Sequence, residues 1–146
     1  MLKSAYTSQK IGMQFYLAVK GLIRNPEGKI LVLKRSDHDD HKPGVWETPG
    51  GGIDHEQPPQ EALEREILEE TGLTVIVKEP FNVFTFRKDT GEFKVGITFL
   101  CDWVSGEVRL SDEHTEYRFI DAQDFAGLES VPSLHEEIAL YAQKYA

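Results

Sequence analysis

The sequence predicts an α/β domain in which two helices cover a mixed sheet. Strand patterns run before, between and after two helical patterns, one in the middle of the chain and one at its end. In the strand segments apolar residues alternate in part, and in the helical segments they recur every three or four positions. This order of elements is typical of a layered α/β fold.

The length and composition limit the kinds of protein that this chain can be. Its 146 residues match the usual size of one domain, so we expect residues 1–146 to form a single unit with residues 1–12 as a loosely held lead-in. A net charge of −9 argues against a surface for a nucleic-acid polymer, because such surfaces are basic. No apolar run is long enough for a membrane span, and the N-terminus lacks signal-peptide features. Together with a lone cysteine, Cys101, in an apolar run, these features predict a cytoplasmic protein without a disulfide or a membrane contact.

The first part of the chain predicts a hairpin and a polar loop. Residues 14–23 and 29–35 have the apolar character of buried strands, and the turn signal NPEG at residues 25–28 separates them. Residues 36–43 contain two histidines and three aspartates, which is compatible with a metal site but is more typical of a solvated loop. A short strand then leads into a glycine loop at residues 50–52, where the backbone can approach a ligand closely.

The central helix carries the most informative pattern. Two prolines precede residues 60–70, which are strong helix formers, and Gly72 follows as a stop signal. Glutamates three and four positions apart share one face of this helix and repel one another, which a divalent cation would relieve. They are Glu66, Glu69 and Glu70. Arg65 lies one turn before the second of them and can hold it, although a plain solvated acidic face is the usual alternative.

A second hairpin is predicted after the helix. Pro80 is expected to end the strand that follows the helix, and residues 81–87 and 93–103 form the two arms of the hairpin. Phe84 and Phe86 alternate and therefore share a face. On that face they either pack in the core or stack on a base.

The last third of the chain predicts an acidic loop, a strand and a closing helix. Residues 111–116 form either a solvated connector or a source of further functional carboxylates, and residues 117–120 follow as a strand. His114 is expected to be an ordinary loop residue. A short helical turn at residues 121–125 precedes a helix over residues 132–145, whose apolar stripe is expected to comprise Ile138, Leu140, Tyr141 and Tyr145.

Residues 65–73 (REILEETGL), together with Gly51, resemble the Nudix box. That family pattern is a glycine, five residues, a glutamate, seven residues and then R-E-U-x-E-E-x-G-U, where U is a bulky aliphatic residue. The chain departs from the pattern at Gln57, which stands in place of the first glutamate, and Asp54 and Glu56 lie near enough in sequence to compensate. The resemblance implies the Nudix α/β/α sandwich with a mixed β-sheet.

The resemblance also implies an activity. Nudix enzymes of the small, MutT-like branch hydrolyse a diphosphate linkage by water attack on phosphorus, so we expect a small nucleotide substrate, most simply a nucleoside triphosphate or a modified nucleotide. Lys88 and Asp89 stand where ADP-ribose pyrophosphatases carry a marker proline, which argues against that substrate. The expected cofactor is Mg²⁺, with Mn²⁺ as a substitute, and the expected assembly is a monomer or a homodimer.

The site residues that the resemblance implies fall into three groups. The metal ligands would be the Gly50 carbonyl group and the carboxylates of Glu66, Glu69, Glu70 and Glu113. In catalysis, Arg65 would orient Glu69, and either Glu69 or Glu113 would act on the water, with Glu116 as the competitor of Glu113. The substrate contacts would come from Arg35, Gly50, Gly51, Phe84 and Phe86.

Two other functions are compatible with the same fold. A catalytically silent nucleotide-binding sensor would not need the complete set of helix glutamates that is present here. A prenyl-diphosphate isomerase would need a catalytic cysteine, whereas Cys101 lies in a strand-like run.

Overall fold

The protein was analysed as a computed structural model that describes residues 14–38 and 42–145. The predicted lead-in at residues 1–12 and part of the polar segment 36–43 lie outside the described residues. In chain order the elements are β1 (Tyr16–Arg24), β2 (Ile30–Arg35), β3 (Trp46–Glu47), β4 (Gly50–Ile53), α1 (Pro59–Thr71), β5 (Thr74–Arg87), β6 (Phe93–Ser105), β7 (His114–Ile120), a 3-10 helix (Ala122–Gly127) and α2 (Pro132–Tyr145).

Strand β1 lies in the middle of a mixed sheet with the order β3-β2-β1-β6-β5. It pairs in parallel with β6 along its whole length. Its other edge is divided, because β4 pairs with residues 17–20 and β2 pairs only where Arg24 meets Ile30. The predicted first hairpin therefore exists at its turn, but its strands separate beyond the first pair because β4 occupies the edge of β1.

Both faces of the sheet are buried, which confirms the α/β/α sandwich. Because side chains alternate between the faces of a strand, neighbouring residues of the central strands enter two different cores. The core beneath α1 contains Val19, Ile23, Leu31, Leu33, Phe99 and Cys101 with Ala62, Leu63 and Ile67 of the helix. The core beneath α2 contains Leu22, Ile30, Val32 and Leu100 with Phe125, Ile138 and Tyr141.

The expectation that Pro80 ends a strand is wrong. Strand β5 continues through this proline, and its register with β6 shifts on both sides of it. Proline is tolerated there because β5 lies at the edge of the sheet, where its missing N–H group can face away from the ladder. The irregular pairing lets β5 run on to the predicted hairpin with β6.

The two helices have the predicted positions. Gly72 ends α1 in the left-handed conformation, with φ of 76°, and its N–H group donates to the Leu68 carbonyl group. In α2 the apolar stripe is narrower than predicted, because Leu140 and Tyr145 are 50% and 41% exposed. No helix in the described ranges has the length and apolar character that crossing a membrane requires.

Candidate active site

A cleft of about 590 Å³ lies at the junction of β1, β4, β5 and the ends of both helices. Among the residues that line it are seven of the predicted site residues, namely Arg35, Gly50, Gly51, Glu70, Phe84, Phe86 and Glu113. The other three, Arg65, Glu66 and Glu69, lie on α1 outside the lining of the cleft. The fold therefore brings most, but not all, of the predicted residues to one cavity.

The segment predicted as a glycine loop is in fact strand β4, and close packing accounts for two of its three glycines, Gly50 and Gly51. Gly50 has φ of 143°, and a Cβ atom on it would overlap the Val19 carbonyl oxygen. This close approach places the Gly50 N–H group 3.4 Å from Glu70 Oε2. A Cβ atom on Gly51 would lie 3.0 Å from Glu66 Oε2, so this glycine makes room for a second carboxylate.

The three glutamates on the face of α1 lie at different depths. Glu70 is buried, Glu66 is half-buried and Glu69 is exposed. The predicted contact of Arg65 with Glu69 is present, at 3.3 Å between Nη1 and Oε1, and the same nitrogen lies 3.5 Å from Glu66 Oε1. The arginine therefore faces the two outer carboxylates and leaves the buried one to other partners.

Gln57, which departs from the box pattern, contacts the same arginine. Arg65 Nη2 donates to Gln57 Oε1 at 3.4 Å, so a neutral amide contacts the guanidinium group at this position. Asp54, considered above as a substitute, is largely exposed and lies 2.6 Å from the ring of His55. Glu56 is also exposed. The loop thus places Gln57 itself, and neither acidic neighbour, in hydrogen-bond contact with Arg65.

The acidic segment before β7 contributes Glu113 to the cleft. A carboxylate oxygen of Glu113, one of Glu70 and a ring nitrogen of His114 lie within 4.8 Å of one another. Glu116, the predicted competitor, instead forms an ion pair with Arg118 at 3.2 Å, and both side chains are about half exposed. His114 is not a loop residue, because it is buried at the first position of β7.

Glu47 forms a second carboxylate centre, which shares His114 with the first and which the sequence did not reveal. Its oxygens lie 2.7 Å from His114 Nε2, 3.0 Å from Arg35 Nη1 and 3.4 Å from Lys20 Nζ. Burial raises the pKa of Glu47, but these three partners outweigh it and bring the pKa down to about 2. Strand β3 has only two residues, too short for a periodic pattern, so nothing local in the sequence marked Glu47.

Glu70 has the opposite electrostatic environment. Burial, with smaller contributions from the carboxylates of Glu47 and Glu113, outweighs the attraction of Lys20 and the Gly50 N–H group and raises the pKa of Glu70 to about 8. Burial likewise raises the pKa of Glu66. Among the described residues no lysine or arginine forms an ion pair with Glu70, and a buried carboxylate in that state is suited to a hard divalent cation, which takes oxygen ligands. The residues present therefore fit a metal centre of the Mg²⁺ type.

An aromatic face forms another part of the cleft. Phe84 and Phe86 line it, and their half-buried rings stack with centroids 6.0 Å apart. Gly96 on the neighbouring strand makes room for this arrangement, because a Cβ atom there would overlap the Phe84 ring. Neither phenylalanine belongs to the two hydrophobic cores. The rings are accordingly available to stack on a base, which is the second of the two alternatives raised by the sequence.

The cleft also holds a buried glutamate that was not predicted. Glu137 of α2 is 5% exposed, and its Oε1 atom accepts hydrogen bonds from Asn82 Nδ2 at 2.9 Å and Thr98 Oγ1 at 2.7 Å. A signal for it did exist, because position 137 lies next to Ile138 and four residues before Tyr141, on the apolar face of the helix. A charged residue on such a face indicates a site.

Basic side chains gather along the cleft although the chain as a whole is acidic. Lys42, Arg87, Lys88 and Lys94 line the cleft together with Lys20 and Arg35. Partial burial, and to a lesser extent Lys88, lowers the pKa of Lys94. Cations at these positions, next to the carboxylate centre, suit a ligand that carries several negative charges.

Comparison with known proteins points to one family. The family model described as NUDIX domain matches residues 15–141. A MutT-like protein of Streptomyces ambofaciens is 33% identical over 99 residues, which are 68% of this chain but only 59% of that relative. A Methanocaldococcus jannaschii protein named ADP-ribose pyrophosphatase is 33% identical over 126 residues, or 84% of this chain and 69% of the relative. The crystal structure of a MutT protein from Methanosarcina mazei Go1 superimposes with a TM-score of 0.80 at 28% identity and covers 91% of this chain and 96% of its own.

Proposed function

Because the chain belongs to the Nudix hydrolase family, we propose that it hydrolyses a diphosphate linkage in a small nucleotide with the help of a divalent cation. The preferred substrate is a nucleoside triphosphate or a modified nucleotide. The observation that carries this proposal is the contrast within one cleft between Glu70, a buried carboxylate with a pKa of about 8, and the basic side chains around it. Such a cleft can receive a cation and a polyphosphate together.

The cation would be Mg²⁺, or Mn²⁺ in its place, and the carboxylates of Glu66, Glu70 and Glu113 with the Gly50 carbonyl group would hold it. Glu69 is the weakest candidate ligand, because it is exposed and contacts Arg65. When bound, such an ion neutralises phosphate charge and lowers the pKa of a coordinated water. Oxygen-only ligands of this kind match the preference of Mg²⁺.

The residues of the chain would then position the reactants. Basic side chains such as Arg87 and Lys94 would hold the outer phosphate groups, and the aromatic face would hold the base. Glu113 lines the cleft whereas Glu69 does not, so a carboxylate oxygen of Glu113 is the better placed acceptor for the proton of the attacking water. The water oxygen forms a new bond to phosphorus as the bond to the bridging oxygen breaks.

A second candidate substrate is ADP-ribose. It is favoured by the 33% identity to the Methanocaldococcus jannaschii relative that carries the name ADP-ribose pyrophosphatase. Lys88 and Asp89, which stand in place of the marker proline of that class, both line the cleft. Both candidates contain a nucleoside diphosphate, so the same carboxylate centre would serve either of them.

The decisive experiment is a coupled phosphate assay, in which inorganic pyrophosphatase converts the pyrophosphate released from triphosphates, and alkaline phosphatase converts the phosphate monoesters released from ADP-ribose and nucleotide sugars, into inorganic phosphate. The purified chain would be incubated with nucleoside triphosphates, ADP-ribose and nucleotide sugars, with Mg²⁺, Mn²⁺ or a chelator. We expect cation-dependent turnover that Glu70→Gln lowers by at least about 1,000-fold, as for loss of an essential catalytic group. Glu116→Gln, which changes an exposed carboxylate of the same segment, should keep the full rate. Absence of turnover for every diphosphate compound would refute the hydrolase proposal, and an active Glu70→Gln would refute the ligand assignment.

The same screen separates the alternatives. A silent sensor would bind nucleotides without turnover, with or without the cation. The isomerase alternative has little support, because Cys101 is fully buried in the core and burial raises the pKa of its thiol to about 12. A thiol in that state is inert. The assembly as a monomer or homodimer, the cytoplasmic location and the single-unit organisation stay predictions.

A further inference from the structure

Glu137 is a buried carboxylate in the cleft that the proposed hydrolysis does not use. Both of its hydrogen bonds, from Asn82 Nδ2 and Thr98 Oγ1, go to the same atom, Oε1. Its other oxygen, Oε2, has no hydrogen-bond partner among the described residues. It is also not one of the buried side-chain atoms without a partner there, so part of its surface is accessible. Since Glu137 lines the cleft, Oε2 is open to it and can accept a hydrogen bond from a ligand.

The environment of Glu137 is unusual for a buried carboxylate. In the described ranges no lysine or arginine forms an ion pair with it, and its partners are a neutral amide and a neutral hydroxyl group. Burial raises the pKa of Glu137, which records the cost of holding a charge there. A purely structural link between β5, β6 and α2 would be met equally well by glutamine, whose amide oxygen could accept both bonds. The carboxylate is therefore best explained by what its second oxygen contacts.

Asn82 places Glu137 next to the aromatic face. Asn82, Phe84 and Phe86 occupy alternate positions of β5, so their side chains emerge from the same side of the strand. The Nδ2 atom of Asn82 donates to Glu137, while its Oδ1 atom has no partner among the described residues and is a second acceptor. One side of the cleft thus combines two stacked rings with two neighbouring hydrogen-bond acceptors.

We propose that Glu137 and Asn82 read the edge of the nucleobase that stacks on Phe84 and Phe86, and that they select bases with N–H donors on that edge. Guanine fits best because its N1–H and N2–H groups are adjacent donors. Adenine and cytosine offer one exocyclic amino group, and carboxylates commonly accept from the amino group of cytosine. Uracil and thymine have a single donor on that edge, N3–H, between two carbonyl oxygens, so the second acceptor of the pair would face a carbonyl oxygen. This inference rests on the proposed function, since it assigns the base subsite of the same cleft.

The test compares the kcat/KM values of GTP, ATP, CTP and UTP in Mg²⁺ for the wild type, Glu137→Gln and Glu136→Gln. We expect the wild type to prefer GTP over UTP by about 100-fold, because a site built for hydrogen bonding discriminates strongly against a mismatched edge. In Glu137→Gln the amide oxygen keeps the two internal bonds and the NH₂ group faces the cleft, so a donor replaces an acceptor. The GTP-to-UTP ratio should fall by at least about 30-fold, within the range for one bidentate base contact. Glu136 is exposed on the same helix, and its variant should keep the wild-type ratio.

A second variant distinguishes a loss of base selection from misfolding of Glu137→Gln. Asn82→Ala removes one acceptor at a half-buried position of an edge strand, and it should lower the GTP-to-UTP ratio by about 10-fold. Equal kcat/KM values for the four nucleotides in the wild type would overturn the inference. An equal loss for all four in Glu137→Gln would also overturn it, because that result indicates a structural role.

Failure of the proposed function can be distinguished from failure of this inference. If the wild type hydrolyses no nucleotide, calorimetry with GDP and UDP tests base selection without turnover. Preferential binding of GDP that Glu137→Gln removes would support the base-reading role even then. Equal binding of GDP and UDP, or no binding of either, would reject it.

Discussion

A buried carboxylate, Glu70, and a half-buried one, Glu47, face the same cleft, and they differ in the groups that balance their charge. Glu47 is surrounded by cations and its pKa falls to about 2. Those partners are Lys20, Arg35 and His114. Glu70 accepts one long hydrogen bond from Gly50, among the described residues, and its pKa rises to about 8. Burial acts in the same direction on both groups, so the difference comes from their partners.

This difference supports the proposal that Glu70 serves a ligand, and it is the reason that we expect Glu47 to serve the fold. The charge of Glu47 is balanced by side chains of the chain, and its contacts tie β3 to β1, β2 and β7. Glu70, near the C-terminal end of α1, has no ion-pair partner among the described residues, and the carboxylate of Glu113 lies beside it. A charged group that is held inside a protein without an opposite charge lowers the stability of the fold. Such groups are found at active sites, where their shifted pKa values serve the reaction. A divalent cation would do for Glu70 what Lys20 and Arg35 do for Glu47.

Removing the charge of Glu70 is the strongest test of the difference between the two carboxylates. Glu70→Gln should weaken the binding of Mn²⁺ by about 1,000-fold, because affinity at oxygen sites depends on the number of charged ligands. Electron paramagnetic resonance of free Mn²⁺ measures the binding directly and does not require turnover. Glu69→Gln, on the exposed part of the same helix, is the matched control and should change the affinity far less. Equal losses in both variants would show that the depth of the carboxylate does not matter.

Removing the charge of Glu47 should act on stability instead. Glu47→Gln removes the carboxylate that pairs with Lys20 and Arg35, whose side chains are only about a fifth exposed. Breaking a buried ion pair from one side costs about 3 kcal/mol of unfolding free energy. Urea denaturation at neutral pH measures that loss.

The control for Glu47→Gln is Glu116→Gln. Glu116 pairs with Arg118 at the surface, where an ion pair contributes at most about 1 kcal/mol. If the two variants were equally stable, the Glu47 cluster would not be a structural element, and the contrast with Glu70 would fail.

The pH dependence of the free energy of unfolding gives a smaller effect, and its sign differs between Glu70 and Glu47. The pKa of Glu70 rises from 4.5 to about 8 on folding, so at intermediate pH the folded protein holds a proton that the unfolded chain lacks. Stability without metal should therefore fall by about 2 kcal/mol between about pH 5.5 and about pH 7. Glu47 is ionised in both states over that interval, and its stabilising effect is lost only as the pH falls from 4.5 toward about 2.

Urea denaturation in a chelator at those two pH values measures the fall. The matched variant is Glu70→Gln, which cannot titrate and should lack the part of the pH dependence that Glu70 contributes. An identical pH dependence in the wild type and the variant would mean that Glu70 is ionised in the folded protein.

Local patterns in the sequence predicted the helices, the second hairpin and the acidic face of α1. Those features repeat every two or every three to four residues, so a short stretch such as residues 58–72 contains the whole signal. The long-range partners were not predictable in this way. His114 meets Glu47 across 67 positions, and Asn82 meets Glu137 across 55. A periodic pattern shows which face of an element is apolar, but it does not show which faces meet.

The same limit explains the errors within the candidate site. The glycines of β4 suggested a loop because glycine is rare in strands, whereas packing against Val19 is what requires Gly50. His114 was assigned to a loop from its polar neighbours, although it starts β7 and is buried. The three glutamates of α1 share a face as predicted, but Glu66 and Glu70 lie against Gly51 and Gly50 of β4 while Glu69 is exposed, and a helical pattern does not show which element packs on which part of the face.

The smallest expected effect concerns Gln57, which contacts Arg65 beside the carboxylates of α1. Arg65 Nη2 contacts Gln57 Oε1, while Arg65 Nε is buried without a hydrogen-bond partner among the described residues. Gln57→Glu would offer two oxygens to this guanidinium group and allow a paired contact. Because Arg65 is partly exposed, the gain in unfolding free energy should stay below about 1 kcal/mol, measured by urea denaturation. Gln60→Glu, at an exposed position in the first turn of α1, controls for the added charge. If Gln57→Glu changed turnover by more than about 10-fold, or about 1.4 kcal/mol in barrier height, position 57 would belong to the reactive centre rather than to the support of Arg65.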